Sequence, residues 1–174
     1  MEAVMEKTKP LTFQFEDDGL VPNNPLPFII YKRVIDVDNA QPERTIEQVF
    51  ADNRWGSMWR NGIYDYLHYH ATAHEVLGIA RGQARVRFGG DHGKVLEVTA
   101  GDVAILPAGT GHQCLFATRD LSVIGAYPPG QTMEITRPTP DNHAKALKTI
   151  PRVALPETDP VMGEDGPLVR LWKR

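Results

Sequence analysis

Five of the chain's six histidines lie between positions 68 and 112, and three of these, with one glutamate, have the types and spacing of a metal-binding set. His68-Tyr69-His70 puts two imidazoles two residues apart. In an extended strand residues i and i+2 point to the same face, so both rings can approach one ion. Glu75 opens the next apolar run after the turn Ala71 to His74 and can add a carboxylate from the neighbouring strand. His112 follows the turn Pro107-Ala108-Gly109-Thr110-Gly111, which lets a distant strand deliver a third imidazole. Neutral imidazoles with one carboxylate suit Fe, Mn, Ni, Zn or Cu and offer far too little oxygen for calcium. Taken alone, two such histidines are more often polar surface than ligands. The glycine-framed spacings around them are what set them apart.

Several neighbours belong to the same question. Arg60, Tyr64 and Tyr66 share the parity of His68, so an unbroken strand turns them toward one substrate pocket, with Arg60 able to pair with an anionic substrate. A salt-bridged rim arginine and two core tyrosines account for the same residues equally well. Cys114, two residues past His112, shares its face near the cavity and is read first as a small buried hydrophobe, second as a reactive thiol. His74 adjoins Glu75 and faces the other way, which makes it a turn residue or a support for a ligand. Trp55 and Trp59 are read as packing residues, His92 and His143 as solvated.

The elements that must position these groups are short. Glycine and proline, 15 and 14 of 174 residues, are spread along the chain and cut it into brief apolar runs, the pattern of an all-β barrel or sandwich. Candidate strands are Leu11 to Phe15 at an edge, Phe28 to Tyr31, Ile63 to His70, Glu75 to Ala80, Ala84 to Phe88, Val95 to Val98, Val103 to Leu106, Gln113 to Ala117 and Leu121 to Tyr127. Pro22 to Pro27 is expected to be a rigid loop. Between Pro42 and Asn53 the apolar residues Ile46, Val49 and Phe50 recur at helical spacing, which predicts one amphipathic helix on the outside of the barrel. After Pro128 the β pattern fades into a tail, with a short helix near His143 to Lys148 and an extended close at Leu168 to Trp172.

Composition bounds the rest. Hydrophobic residues make up 41% of the chain, enough for a sizeable core, and a net charge of −3 gives no reason to expect nucleic-acid or membrane binding. A single cysteine forbids an intrachain disulfide and suits a reducing cytoplasm. The stretch Met1 to Pro10 is charged and lacks the apolar segment of a secretory signal.

Two glycine-framed motifs carry a resemblance. Gly62-x5-His68-x-His70-x4-Glu75-x6-Gly82 matches the fixed positions of the first cupin motif. Gly101-x5-Pro107-x-Gly109-x2-His112 matches the second, with Phe116 where an asparagine is common. Asp17-Asp18-Gly19 to Pro27, Trp59 to Tyr64, Ala73 to Gly78 and Gly166 to Trp172 resemble the bacterial YjlB-type single-domain cupins. The resemblance implies a cupin jelly-roll-like β-barrel with one short N-terminal helix and an extended C-terminal tail. It implies one domain over 1–174, with a barrel core at 59–127, N-terminal strands and helix at 11–55 and the tail at 128–174. It assigns His68, His70, Glu75 and His112 as ligands of one divalent transition metal ion.

Two functions are compatible with that set. One is a metal-dependent enzyme acting on a small oxygen-bearing metabolite, of dioxygenase, decarboxylase or isomerase type. The other is a non-enzymatic binder of a small molecule or of the metal. The expected partners are a small molecule and a second copy in a homodimer.

Overall fold

The computed structural model describes residues 3–4 and 9–174, so most of the charged stretch Met1 to Pro10 lies outside the described residues. Among the described residues nine strands are arranged in two antiparallel sheets. The larger contains β1 (Leu11–Phe15), β2 (Asn24–Tyr31), β3 (Gly56–Asn61), β4 (Glu75–Arg81), β7 (Val103–Leu106) and β9 (Ser122–Tyr127), in the order β1-β2-β7-β4-β9-β3. The smaller contains β5 (Gln83–Phe88), β6 (Lys94–Thr99) and β8 (His112–Ala117), in the order β6-β5-β8. The large sheet therefore includes β1 and β2, which lie outside the span 59–127.

The central strands β2, β7, β4 and β9 of the large sheet are buried on both faces, and alternation sorts their side chains. Phe28 and Ile30 of β2, Leu77 and Ile79 of β4, and Ala104 and Leu106 of β7 point inward, packing with Val86, Phe88 and Val98 of the small sheet. Ile29, Tyr31, Val76, Val103 and Ile105 point outward into a second cluster. That cluster is roofed by Ile46, Val49 and Phe50 of helix α1 (Pro42–Asp52), in accord with the amphipathic pattern.

Three expectations are corrected. Ile63 to His70 does not form a strand. The strand lies earlier, at β3, and residues 62–67 bend before isolated bridges pair His68 with His112 and Tyr69 with Thr136. The presumed loop at Pro25 and Pro27 is part of β2. Each proline lacks an N–H, but β2 pairs with β7 only from Ile29 to Tyr31, so the ladder does not need those donors. The close of the tail is not extended: Pro167–Leu171 forms the short helix α3, while the helix expected near His143 to Lys148 is α2 (Pro140–Thr149), capped by Thr139 Oγ1 accepting from Asn142 N at 3.1 Å. Among the described residues no helix is long and apolar enough to cross a membrane.

Candidate metal centre

Each candidate ligand side chain is placed by a different device. Glu75 is the first residue of β4 and shares the inward parity of Leu77 and Ile79, so alternation aims its carboxylate between the sheets. His112 opens β8 after the turn Pro107 to Gly111. Gly109 holds φ +93° there, and a Cβ on it would lie 2.6 Å from the Asn23 carbonyl oxygen, so glycine is required twice over. Asn23 and Asn24 clamp this turn: Asn23 Oδ1 accepts from Gly111 N at 3.1 Å, and Asn24 Nδ2 donates to the Ala108 carbonyl at 2.8 Å. His68 is held against His112 by reciprocal backbone bonds of 3.2 and 2.9 Å. Tyr69 is tied to Thr136 of the tail by bonds of 3.0 and 2.9 Å, which fixes His70 beside it.

The four side chains converge. One ligand nitrogen from each of His68, His70 and His112 lies within 4.8 Å of the others, and all three residues are buried. Glu75 Oε2 is 3.3 Å from His70 Nε2, and Oε1 is 3.3 Å from His112 Nε2. Two ligands at right angles on an ion about 2.1 Å away stand about 3 Å apart, so these are separations a shared ion would produce.

The donor chemistry fits a divalent transition ion. Each histidine Nδ1 faces a backbone carbonyl: Tyr66 for His68 at 3.0 Å, Glu134 for His70 at 2.9 Å and Thr110 for His112 at 3.0 Å. A carbonyl only accepts, so Nδ1 carries the proton and Nε2 is the nitrogen turned to the centre. Burial, with the neighbouring His112, pushes His68 down to about 3, which keeps that ring neutral. For His70 burial acts downward, but the adjacent Glu75 charge outweighs it and raises the imidazole. Glu75 is the converse: burial alone would raise it, yet His70 and His112 hold it well below the usual carboxylate range. A buried carboxylate here needs positive charge beside it, and a metal cation meets that need better than a proton on His70. Oε1 of Glu75 has no hydrogen-bond partner, whereas Oε2 accepts from the Tyr127 hydroxyl at 2.7 Å. Trp59 Nε1 in turn donates to that hydroxyl oxygen at 2.7 Å.

The four candidate ligands form the inner end of a cavity of about 260 Å³. Its walls are Trp59, Ile63, Leu77 and Met133, and its rim includes the exposed Asn61 and Gly62 and the half-exposed Tyr64. A wider groove of about 940 Å³ beside α1 is lined by none of the four ligands.

Of the other candidate residues, Tyr64 lines the cavity. Tyr66 stacks on Tyr64 with ring centroids 4.9 Å apart but faces Arg137 outside, 4.5 Å from its ring. Arg60 is placed away from the cavity. It pairs with Ile124 on the outer side of the sheet and forks onto Glu47 of α1 at 2.8 and 2.7 Å. Parity with His68 does not survive the bend at 62–67. Cys114 does share the inward face of His112, but it packs in the apolar core beside Val86, and its Sγ donates to the Phe116 carbonyl at 3.3 Å. Burial pushes its thiol up. His74 is buried facing away from the centre, its Nδ1 accepting from Ala108 N at 2.9 Å and its ring 4.8 Å from Trp172. Sequence reasoning missed Trp59 and Met133. Trp59 had a signal: it lies opposite Gly125, where a Cβ would come within 2.0 Å of the indole, and a glycine inside a strand marks such a close approach.

Two antiparallel sheets facing one another, with a His-His-Glu-His set at one end of the space between them, define a cupin. The chain belongs to the family of protein YjlB from Bacillus subtilis (strain 168), to which it is 35% identical over 162 residues, 92% of this chain and 95% of that one. No family model matches. Among solved structures it is similar to acireductone dioxygenase from Bacillus anthracis with a cadmium ion in the active centre, at 16% identity over 72% of this chain and 82% of the other, TM-score 0.38. It is also similar to a mutant of oxalate decarboxylase from Bacillus subtilis, at 16% identity over 79% of this chain and 30% of the other, TM-score 0.37. Likenesses this distant add nothing to what the strand order and the ligand set establish.

Proposed function

We propose that this chain is a metal-dependent cupin enzyme acting on a small oxygen-bearing metabolite, with one divalent transition ion held by His68, His70, Glu75 and His112. The observation that carries the reading is the convergence of three histidine Nε2 atoms and the unpartnered Glu75 Oε1 at the inner end of a cavity that reaches the surface at Tyr64. When bound, such an ion supplies Lewis-acid polarisation of a substrate oxygen or, if redox-active, dioxygen chemistry. The protein's own part is to fix the ligands, exclude water with Trp59, Ile63 and Leu77, and leave the mouth side free of further ligands. Neither Cys114 nor His74 turns toward the centre to close the ion's shell. That favours the enzyme over a closed structural site, although an oxygen-bearing ligand held without turnover remains the alternative function.

Elemental analysis of protein purified without added metal tests the centre. About one transition ion per chain is expected, lost in His70→Ala and His112→Ala; absence of metal together with failure to take up added ions would overturn it.

The same proposal takes 1–174 as one domain in the cytoplasm, supported by a core cluster that joins Ile35, Ile124 and Trp172 and by one free, buried cysteine. We infer a homodimer as well. Leu115 and Phe116, 41% and 58% exposed, lie together on β8 past the stretch His112 to Cys114 that the segment 64–68 covers, and offer two large apolar side chains for a second copy to bury. Sedimentation at micromolar concentration should give twice the 19.4 kDa chain mass, and a monomer would refute the pairing.

A further inference from the structure

The walls of the cavity point to what occupies it beside the ion. Beyond the four ligands they are Trp59, Ile63, Leu77 and Met133, with Asn61 and Tyr64 toward the mouth. No lysine or arginine is among the lining residues, and Glu75 is the sole carboxylate. The arginines of the adjoining segments are engaged elsewhere, Arg60 on Glu47 and Arg137 on the Tyr66 ring. A divalent ion with one carboxylate leaves the centre with a single positive charge. One anionic oxygen group on a ligand neutralises it. A second anionic group, beyond the reach of the ion, would be buried against Trp59, Ile63 or Leu77 with no cation to pair it, a costly arrangement. The volume of about 260 Å³ falls below the roughly 300–1,000 Å³ of pockets for drug-sized molecules, so the ligand is small.

We propose that the cavity takes a small monoanionic ligand with an oxygen-chelating head and an apolar body, of the class of α-keto or α-hydroxy acids with aliphatic or aromatic side chains. The head would supply oxygen donors to the ion, the body would lie along Trp59, Leu77 and Met133, and the Asn61 amide and Tyr64 hydroxyl would meet whatever polar edge reaches the rim. This rests on the metal-centre reading above. A carboxylate at the far end of the ligand is selected against, because the chain supplies no partner for it.

The test uses the full chain loaded with cobalt(II), whose visible absorption reports ligands entering its shell. The α-keto acid of leucine and α-ketoglutarate share the chelating head, are close in size and differ in an apolar or a charged far end. The former is expected to bind at least ten-fold more tightly. Met133→Lys, which adds a cation to the half-buried wall and leaves the four ligands untouched, is expected to shrink that ratio or reverse it. Absence of a cobalt band would overturn the metal centre and this inference together. A normal band with equal binding of the two acids, with tighter binding of α-ketoglutarate, or with no response to either would overturn the ligand class alone. A ratio unmoved in a Met133→Lys variant with an unaltered cobalt spectrum would do the same.

Discussion

At the scale of single residues, the centre is built by hydrogen bonds that leave the ligand atoms no other orientation. Three backbone carbonyls fix three Nδ1–H groups, so three Nε2 atoms face inward. The Tyr127 hydroxyl takes one oxygen of Glu75 and leaves the other free. Burial and the Glu75 charge both raise the Tyr127 phenol, so it remains a donor throughout the physiological range. Tyr127→Phe removes that donor, and the acceptor of Trp59 Nε1 with it, while keeping the ring. Metal affinity, measured by competition with a chelator of known affinity, is expected to fall about 10–100-fold. An unchanged affinity would mean that the ion alone orients the carboxylate. The convergence of His68, His70, Glu75 and His112 was legible in the sequence because two motifs frame them with glycines, of which Gly82, Gly101 and Gly109 hold positive φ. Met133 was not, since nothing in its immediate neighbours distinguishes a wall from ordinary packing, and Trp59 was marked only by Gly125 on the strand opposite. Met133 arrives from the tail, which bonds to His70 and Tyr69 through Glu134 and Thr136.

At the scale of elements, alternation made most strands legible, and its failure explains the one serious misplacement. From β4 to β9 each apolar run has a face in the core, so its limits could be read to within a residue or two. Between β3 and His68 the chain bends, and counting in twos across a bend assigns Arg60 to the wrong side. Helix α1 was legible from its period, and its attachment to the sheet is electrostatic as well as apolar. Glu43 of its first turn accepts from Arg81 Nε, at the end of β4, at 2.8 Å. Partial burial would raise the Glu43 carboxyl, but hydrogen bonds from Arg81 and Ser122 outweigh it and hold the group at about 2. The folded value lies below the unfolded one, about 4.3. The pair's contribution is therefore complete above the unfolded value and fades as pH falls toward the folded one. Arg81 is 48% exposed, so the contribution is at most about 1 kcal/mol. Wild type should unfold at higher denaturant than Glu43→Gln near neutral pH, and the gap should close as pH drops through the interval from about 4.3 to about 2. A gap independent of pH would show that the two variants differ through packing rather than charge.

At the scale of the whole molecule, the large sheet is roofed on its outer face by α1 and by the tail. Asp159 anchors the tail by accepting from the Tyr31 hydroxyl at 2.6 Å and from the backbone N–H groups of Val161, Met162 and Leu168, and Trp172 Nε1 donates to the Pro27 carbonyl at 2.8 Å. The four candidate ligands come from β4, β8 and the bent segment before β4, with the tail supporting His70, so an ion at the centre would join parts of the chain that are far apart in sequence. Because the unfolded chain has no such preformed site, binding adds directly to folding stability. An ion present at 100 times its dissociation constant contributes about 2.7 kcal/mol. For a chain of this length each kcal/mol shifts the melting temperature by roughly 2–4 °C. Removing the metal with a chelator should therefore lower Tm by roughly 5–10 °C. His112→Ala should melt at the same temperature with or without chelator, whatever its own starting stability, because it lacks one of the three imidazoles that hold the ion. Wild-type curves that coincide under both conditions would count against an intrinsic centre. A chelator shift persisting in His112→Ala would place the stabilising ion elsewhere on the molecule.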